Sequence, residues 1–332
     1  MLTAKDAHFA ARFGEARAEE MMLDYAAHRS TPFVFDTYQL SALLGIRRRE
    51  LFALTNGVAA HYHRLEILKK SGGTRVLWAP DETLKAVQRR IVEQILVHYP
   101  ASPHACGYQK GKGTVDNARP HVGKKYLLKL DIADFFDSIC FQKVYSTVFN
   151  TTYFPADIGV MLTELCCLRE RVPQGAVTSP ALSNIIMKHF DDEMGKWCVA
   201  RGVAFSRYCD DITFSADSPL YPAYVKAKGF LKSMGFELRR DKTHFVHRSS
   251  AQQVTGLVVN EGVSLPREWR RELRQEVYYA LRFGLAEGAA RHRFDDTEKY
   301  RRHLLGRLSY ALYVHPESEG FLQQKKELEK IK

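Results

Sequence analysis

The fold prediction starts from residues 203–215, whose sequence is VAFSRYCDDITFS. The runs 203–208 and 212–215 are rich in aromatic and β-branched side chains, which favour short strands. Between them lie Cys209, Asp210 and Asp211, and aspartate is a common turn residue. The stretch therefore predicts a tight hairpin with two acids at its tip. Adjacent acids in a turn are usually solvated, so their meaning depends on what the hairpin pairs with.

A second strand-like run ends beside another acid. In residues 126–132 the apolar positions alternate and share one face, while Asp131 lies on the other. The patterns that follow predict a helix that begins at Ser179, then the hairpin, then a second helix. Further strand-like runs lie at 236–238 and 254–259. One antiparallel sheet backed by helices accounts for this order, so we expect an α+β fold in which the hairpin pairs beside residues 126–132.

That pairing would bring Asp131, Asp210 and Asp211 together. Converging carboxylates repel one another unless a cation lies between them. Mg²⁺ prefers hard oxygen ligands and leaves positions for substrate phosphates. Two such ions would stabilise both the attacking and the leaving oxygen of a phosphoryl transfer. The acids therefore predict the metal site of a nucleotide polymerase.

Three further segments carry groups suited to a nucleotide. A Pro-Gln-Gly turn lets Gln174 approach a substrate closely. Lys69, Lys70 and Arg75 flank a Gly-Gly turn, where cations on a hairpin can close over a triphosphate. Lys242 follows the sheet patterns and can hold or protonate a leaving pyrophosphate. Each segment alone would be an ordinary loop or a solvated turn, so only their order along the chain supports this interpretation.

Composition narrows the class of protein. The 332 residues carry 49 Lys and Arg against 38 Asp and Glu, and the formal net charge of +11 indicates an anionic partner such as nucleic acid. Hydrophobic residues make up 45% of the chain, which disfavours a mainly disordered protein. The sequence has no signal-peptide pattern and no apolar run of about 18 residues. The 6 cysteines lack paired spacing, so we expect a protein of the reducing cytoplasm that makes no membrane contact.

In this order the motifs resemble those of a reverse transcriptase, over roughly residues 60–315. The matching segments are the basic fingers hairpin at 69–75, LDIADFF at 130–136, PQG at 173–175 with Ser179-Pro180, YCDD at 208–211, and Gly235-Phe236 with DKT at 241–243. Many relatives have alanine where this chain has Cys209. Because the cysteine side chain is also small, we expect activity to survive.

Two short segments narrow the resemblance to retron reverse transcriptases. Residues 117–121, NARPH, fit the Asn-Ala-x-x-His element of that group, and residues 254–256, VTG, fit its Val-Thr-Gly element. The resemblance implies a cognate structured non-coding RNA, the msr-msd transcript. It also implies DNA synthesis from the 2′-OH of an internal guanosine, which yields branched multicopy single-stranded DNA (msDNA). An effector protein of the same operon and a role in anti-phage defence are implied as well.

Two alternatives stay open at this point. One is another bacterial reverse transcriptase, of the abortive-infection or group II intron-like type. The other is a scaffold whose main task is to bind RNA and an effector, although the three intact aspartates argue against a purely structural role.

The resemblance implies a right-hand polymerase with an antiparallel palm sheet backed by helices. The expected divisions are an N-terminal helical extension (1–60), fingers (61–125), a palm (126–262) with a fingers-side insertion around 141–180, and a mostly helical thumb with a C-terminal helix (263–332).

The resemblance also assigns roles to matching positions. Asp131 and Asp210 are expected to bind two Mg²⁺ ions, with Mn²⁺ as an alternative, and Asp211 and the Ile132 carbonyl are expected to assist. Phe136 is expected to block a 2′-OH on the incoming sugar. The expected dNTP contacts are Lys69, Arg75, Phe136, Gln174 and Lys242, and Tyr208 is expected at the primer end.

Basic residues crowd the chain after Pro266. Basic helices interleaved with tyrosines suit a thumb that grips an RNA–DNA duplex, and the same pattern also fits a solvated helix face. The expected RNA contacts are Asn117, His121, Arg267, Arg270, Arg271 and Arg274.

Overall fold

The chain combines helices and strands, and its last four elements are helices. Its structure, a computed structural model, describes residues 11, 14–20, 32, 34–68, 72–151 and 154–331. The strands are β1 (Tyr62–Leu68), β2 (Thr74–Pro80), β3 (Tyr126–Asp131), β4 (Ala204–Tyr208), β5 (Asp211–Ala216), β6 (His244–His247), β7 (Gln253–Val254) and β8 (Leu257–Val258). The helices are α1 (Thr37–Leu44), α2 (Arg48–Gly57), α3 (Glu82–Gln94), α4 (Thr114–Ala118), α5 (Phe141–Thr147), α6 (Ala156–Cys166), α7 (Ser179–Val199), α8 (Tyr221–Ser233), α9 (Arg267–Phe283), α10 (Leu285–Arg291), α11 (Thr297–Val314) and α12 (Glu319–Lys330).

The main sheet has four antiparallel strands in the order β4-β5-β3-β6. β4 and β5 form the predicted hairpin, and β5 pairs with the whole of β3. The prediction that the hairpin lies beside the strand at 126–132 is therefore confirmed. In this register Asp131 lies directly opposite Asp211, and directly opposed residues of an antiparallel pair point to the same face.

The fourth strand of the sheet is not one that the sequence predicts. β6 pairs with the first four residues of β3. Of the predicted strand at 236–238, Leu238 forms an isolated bridge to Ile132, and the predicted strand at 254–259 is instead the small β7-β8 hairpin. Three of the four β6 side chains are exposed, so β6 lacks the apolar alternation that reveals a half-buried strand.

Helix α7 backs the sheet. Pro180 lies in its first turn, where a missing N–H costs nothing. Phe190 of α7 packs edge-on against Phe205 of β4 with 6.1 Å between ring centroids, and Phe205 stacks on Phe214 of β5 at 5.0 Å. These contacts fix the hairpin against the helix. The other predicted inward positions, Leu182, Ile186 and Met194, are also buried.

A buried glutamine joins the region of β1 and β2 to the rest of the chain. The Gln88 side chain, on α3, donates to the Tyr62 hydroxyl (2.8 Å) and to the Leu165 carbonyl (2.9 Å). Its oxygen accepts from the Val177 amide at 3.1 Å. Buried polar groups need such partners, so Gln88 holds α6 and the 173–177 turn in place.

Two hydrophobic cores lie on either side of β3. Leu128 and Leu130 of this strand belong to the larger core, which also contains α3 and α5–α8 residues. Leu127 belongs to the second core, built mainly from α9–α12. The C-terminal region is mostly helical, as predicted. In the part of the chain that the structure describes, no helix is long and apolar enough to cross a membrane.

Candidate active site

Two strand ends bring three aspartates to one edge of the main sheet. Asp131 is the last residue of β3, Asp211 is the first residue of β5, and Asp210 lies in the turn before it. The Ile132 amide donates to the Asp210 carbonyl at 3.2 Å, which fixes the turn against the end of β3. Asp131 is only 5% exposed, so the cluster lies partly inside the protein.

The turn between β4 and β5 has two residues, Cys209 and Asp210, because Tyr208 pairs with Asp211. Cys209 has a φ of +59°, in the left-handed region. Two-residue hairpins need a positive φ at the first central position, and glycine takes it most easily. A non-glycine residue there stores strain of about 1–3 kcal/mol, which the surroundings must offset.

A cavity of about 320 Å³ opens beside Asp131 and Asp210. Larger cavities of about 900 Å³ and 490 Å³ lie elsewhere and contain no group of acids, so the small polar cavity is the better candidate for chemistry. The predicted site residues that line it are Arg75, Asp131, Ile132, Phe136, Gln174, Asp210 and Lys242. Asp211 and Tyr208 do not line it, and Lys69 lies outside the described residues.

Two cations face the buried Asp131 carboxylate. Lys242 Nζ lies 2.6 Å from Asp131 Oδ2, and Arg239 Nε lies 3.9 Å from Asp131 Oδ1. The Arg239 amide also donates to the Asp131 carbonyl at 2.8 Å. The segment after α8 thus carries both side chains to the acid, and Lys242 supplies a positive charge at the place where the sequence predicts a metal ion.

Among the described residues, neither Asp210 nor Asp211 forms an ion pair like that of Asp131 with Lys242. Burial raises the pKa of Asp210, and the negative charge of Asp131 raises it further. Burial, followed by the charges of Asp210 and Asp131, raises the pKa of Asp211 to about 6. Such a set of crowded carboxylate oxygens fits a hard divalent cation, because a cation would offset both the repulsion and the lost hydration.

The carboxylates of Asp131, Asp210 and Asp211 do not converge as the ligands of one metal ion would. Among the described residues, no three acidic, histidine or cysteine side chains have the grouping of a metal site. Lys242 already holds one oxygen of Asp131. The residue types therefore fit a metal ion, and a cation at Asp131 would lie beside the Lys242 ammonium that already contacts this carboxylate.

The Pro-Gln-Gly turn contributes Gln174 to the cavity lining and packs against β2. The Trp78 amide of β2 donates to the Gln174 carbonyl at 2.8 Å. Gly175 has a φ of +121°, and a Cβ there would lie 2.7 Å from the Trp78 carbonyl oxygen. Only glycine permits this approach. The contact places Gln174 and Arg75 on the same wall of the cavity.

Comparison with known proteins fits this geometry. Residues 67–274, more than half of the chain, match the sequence model of the family described as reverse transcriptase (RNA-dependent DNA polymerase). The chain belongs to the reverse transcriptase family. The polymerases of this family generally use divalent metal ions.

The relatives of this reverse transcriptase identify its group. It is 34% identical over 289 residues to the retron Mx65 reverse transcriptase of Myxococcus xanthus, which covers 80% of this chain and 64% of the relative. It is 32% identical over 264 residues to the retron Ec86 reverse transcriptase of Escherichia coli, which covers 77% and 78%. The chain is therefore a retron-type reverse transcriptase. The predicted α+β fold with an antiparallel sheet backed by helices is confirmed by the structure itself.

Solved structures add a distant likeness. A telomerase from Candida albicans, in complex with a fragment of telomeric RNA, is 13% identical with a TM-score of 0.44 over 81% of this chain and 63% of that one. A likeness this weak carries no argument about function.

Phe136 is the predicted sugar contact, and it lines the cavity. Its side chain is half-buried, and its ring centroid is 5.4 Å from that of Phe135. Phe135 itself is buried at 4% exposure. Of the two neighbours, Phe135 therefore belongs to the core, and Phe136 lies at the cavity.

Tyr208 lies at the end of β4, outside the cavity lining. Burial raises its pKa, and the nearby groups Cys209, Tyr313 and Tyr310 raise it further. The two tyrosines belong to the last turns of α11. Tyr208 therefore lies between the catalytic turn and the C-terminal helices.

Two of the predicted RNA contacts are wrong. Asn117 is 1% exposed and His121 is fully buried, so RNA cannot reach either side chain in this structure. The His121 ring nitrogens lie 2.7 Å from the Ser215 hydroxyl and 2.8 Å from the Ser206 hydroxyl. Ser206 also donates to the Asn117 carbonyl at 3.2 Å. These residues attach the α4 region to β4 and β5.

The basic residues of α9 are placed differently. Arg267, Arg271 and Arg274 are exposed, and Arg270 is partly buried. Leu273, Val277 and Ala280 form the buried stripe of this helix. The exposed arginines are thus available to a nucleic acid, away from the cavity.

Several cavity residues escaped the sequence reasoning. Asp134 and Asp137 follow Asp131 at intervals of three, and burial raises the pKa of Asp137 with a further contribution from Asp134. That spacing was a usable signal. Arg239 and Tyr108 also line the cavity. Tyr108 comes from a loop that is distant in sequence, and no motif points to it.

Proposed function

We propose that this chain is an active RNA-directed DNA polymerase that copies part of a cognate structured RNA. Synthesis begins at the 2′-OH of a guanosine in that RNA and yields branched msDNA. The assembly serves anti-phage defence together with an effector protein. The observation that carries the polymerase proposal is the single cavity shared by Asp131, Asp210, Lys242, Arg75 and Gln174. Membership of the retron group supports the choice of template and product.

Asp131 and Asp210, with Asp211 and the Ile132 carbonyl, are the residues that would hold two Mg²⁺ ions. When bound, the ions supply charge stabilisation to the attacking and leaving oxygens of the phosphoryl transfer. The carboxylates position that charge and keep it at the end of β3. Mn²⁺ has the same preference for oxygen ligands and is the expected substitute.

The remaining cavity residues bind and orient the nucleotide. Arg75 and Lys242 offer cations to the triphosphate, and Lys242 can hold or protonate the pyrophosphate as it leaves. Gln174 faces the incoming nucleotide. Phe136 packs under the sugar and excludes a 2′-OH. Tyr208 supports the primer end, and Lys69 is proposed as a further triphosphate contact from the fingers hairpin.

The elements divide into the parts of a right-hand polymerase. In this proposal α1 and α2 belong to the N-terminal extension, β1, β2 and α3 to the fingers, and the main sheet with α7 and α8 to the palm. Helices α9–α12 form the thumb. The exposed arginines of α9 would contact the RNA–DNA duplex by its phosphates.

The double variant Asp210→Asn, Asp211→Asn tests the polymerase proposal. Asparagine keeps the size of the side chains and removes both charges, so dNTP incorporation should fall by at least about a thousandfold. RNA affinity should stay within about twofold, since neither residue is proposed to contact RNA. Primer extension on the copurified RNA measures the first quantity, and filter binding measures the second.

The matched control is Asp217→Asn, an exposed acid just beyond the end of β5. It should retain full incorporation. If the double variant still extends DNA in Mg²⁺, the metal assignment is wrong. Sequencing of the nucleic acid that copurifies with the wild type tests the retron product separately, because random-sequence DNA in place of a defined branched product would contradict it.

A further inference from the structure

Arg207 is fully buried one residue before the YCDD segment. It is among the largest side chains that the described core encloses. Burial of a guanidinium costs free energy unless its N–H groups find hydrogen-bond acceptors and its charge finds an opposite charge. Because Arg207 lies next to the Cys209-Asp210 turn, we asked what its side chain contributes to that turn.

Three partners surround the guanidinium. Nε and Nη2 form a two-bond pair with the Asp191 carboxylate, at 2.8 Å and 2.6 Å, and Asp191 is also fully buried. Nη2 donates in addition to Asn184 Oδ1 at 3.0 Å, and Nη1 donates to the Cys209 carbonyl at 2.9 Å. Four donor contacts thus connect helix α7, through one side chain, to the backbone of the catalytic turn.

The Cys209 peptide is held from its other side as well. A Cβ on Gly107 would lie 2.7 Å from the Cys209 amide nitrogen, so the loop before α4 packs directly on the turn. The Gly107 carbonyl accepts from Asn184 Nδ2 at 2.9 Å. The backbone of Arg207 bonds this same loop, through the His104 carbonyl at 2.9 Å and the Cys106 amide at 2.8 Å. Asn184 and Arg207 therefore fix both the turn and the loop that covers it.

This arrangement matters because the turn is strained. Cys209 occupies the left-handed region without being a glycine, and a free hairpin would relax from that conformation. Relaxation would rotate the peptide that precedes Asp210 and move its carboxylate away from Asp131. The guanidinium opposes this because its planar fork has fixed directions for each N–H.

We propose that Arg207 is a positioning residue for the polymerase reaction: anchored on Asp191 and Asn184 of α7, it holds the Cys209 carbonyl so that the strained turn presents Asp210 to the cavity. The inference rests on the proposed polymerase function and deepens it. Arg207 touches neither substrate nor metal and acts only through the turn.

The first test is Arg207→Lys. A lysine keeps a positive charge for Asp191, so the fold should survive, but one ammonium cannot reproduce the bidentate pair and the carbonyl contact together. We expect kcat for dNTP incorporation to fall by at least about tenfold, because small misplacements of reacting groups have large effects. KM for dNTP and the affinity for RNA should stay within about threefold, because Arg207 contacts neither ligand.

A second readout does not depend on activity. The Cys209 side chain is 8% exposed, so its alkylation by iodoacetamide should be slow in the wild type. If Arg207 holds the turn, Arg207→Lys should alkylate at Cys209 at least about fivefold faster at an unchanged melting temperature, since local opening precedes reaction. Peptide mass spectrometry distinguishes Cys209 from the other five cysteines.

The control and a second variant complete the test. Lys196→Gln with Glu193→Gln removes an exposed ion pair on the same helix α7, and it should change neither readout. Should Arg207→Lys fail to fold, Arg207→Met with Asp191→Leu replaces the whole buried pair by apolar side chains, a change that folds are known to tolerate. It should show the same loss of kcat and the same faster alkylation.

The outcomes separate the two proposals. Normal kcat and normal Cys209 alkylation in either folded variant would overturn the positioning role. Equal loss in the α7 control would also overturn it, because the effect would then belong to general destabilisation. If the wild type itself incorporates no dNTP, the proposed function fails, and the alkylation rates alone decide whether Arg207 holds the turn.

Discussion

Phe136 lines the cavity, while its neighbour Phe135 is buried in the core. A ring in this position excludes a hydroxyl by its bulk. Phe136→Ala should therefore lower the ratio of kcat/KM for dNTP over NTP by at least about tenfold, mainly through improved NTP use. Single-nucleotide incorporation with dGTP and GTP measures the ratio.

Phe136→Tyr is the control for this prediction. It keeps the ring and should keep the preference for dNTP. An unchanged ratio in Phe136→Ala would mean that another group reads the sugar, and Tyr108 on the same cavity would be the next residue to vary.

The buried His121 makes the free energy of unfolding depend on pH. Burial lowers its pKa to about 3 in the folded chain, compared with about 6.5 in an unfolded chain. Between these values the unfolded chain binds a proton that the folded chain does not. The free energy of unfolding must therefore fall as the pH drops below about 6.5, by up to about 1.4 kcal/mol per pH unit.

His121→Asn isolates this contribution. The variant loses packing and should be less stable than the wild type at pH 7.5. The gap should narrow as the pH falls from 6.5 to 5.0, because only the wild type pays for keeping His121 neutral. Urea unfolding at several pH values measures the gap, and a gap that stays constant would contradict the assignment.

The residues of the site were predictable where chemistry restricts the residue type. Asp131, Asp210 and Lys242 are charged residues within motifs that follow one another in a recognisable order, and the structure places all three at one cavity. Asn117 and His121 were misread because a short motif does not tell whether a polar side chain faces solvent or pairs inside. Tyr108 was missed because only the folded backbone brings its loop to the cavity.

Helix α6 packs so closely that one of its residues cannot carry a side chain. A Cβ on Gly159 would lie 2.1 Å from the Phe149 carbonyl oxygen, which is backbone and cannot rotate away. Gly159→Ala should lower the free energy of unfolding by about 1–3 kcal/mol or more. Gly229 of α8 offers the matched control, because a Cβ there meets nothing within 4 Å.

Gly229→Ala should raise the free energy of unfolding by up to about 1 kcal/mol, since alanine has the better helix propensity. Thermal or urea unfolding of both variants measures the contrast. Two equal effects would show that the packing of α6 against the end of α5 is looser than described.

Among the elements, long amphipathic helices and the central hairpin were predictable, and edge strands were not. Helices α7 and α11 carry apolar residues at helical spacing over many turns. β6 has four mostly exposed residues, and it is a strand because β3 offers an unpaired edge rather than because of its own pattern. Pairing of that kind is a tertiary effect that local sequence does not encode.

The two segments that narrow the family meet at the junction of the two cores. The Thr255 hydroxyl donates to the Thr114 carbonyl at 3.2 Å, which joins the β7-β8 turn to α4. The Gly123 amide donates to the Val259 carbonyl at 2.9 Å. The elements that carry both segments therefore pack together in the core that also contains the C-terminal helices, and local sequence does not encode that they are neighbours.

The net charge of +11 predicts a salt-dependent grip on nucleic acid. Arg271→Gln with Arg274→Gln removes two exposed charges from α9. RNA affinity should weaken, and the slope of log K against log salt should fall by about 1–2, as expected when one or two phosphate contacts are lost. Filter binding between 50 and about 300 mM salt measures the slope.

Lys226→Gln with Lys232→Gln removes the same total charge from exposed positions on α8. It should change the slope by much less if α9 contacts the backbone. Equal changes in both variants would show that only the overall charge matters and that α9 is a solvated face.

The contact between Lys242 and Asp131 has a consequence for the order in which ligands bind. A Lys242 ammonium that moves toward a substrate phosphate shares its charge with that phosphate, which weakens its contact with the Asp131 oxygen. A triphosphate that attracts Lys242 leaves that oxygen more available to a cation, so we expect nucleotide and divalent cation to strengthen each other's affinity, and reciprocity makes the two effects equal. Without nucleotide, the Lys242 ammonium is the counter-ion of the buried Asp131 carboxylate, so the charge of this acid is compensated before substrate binds.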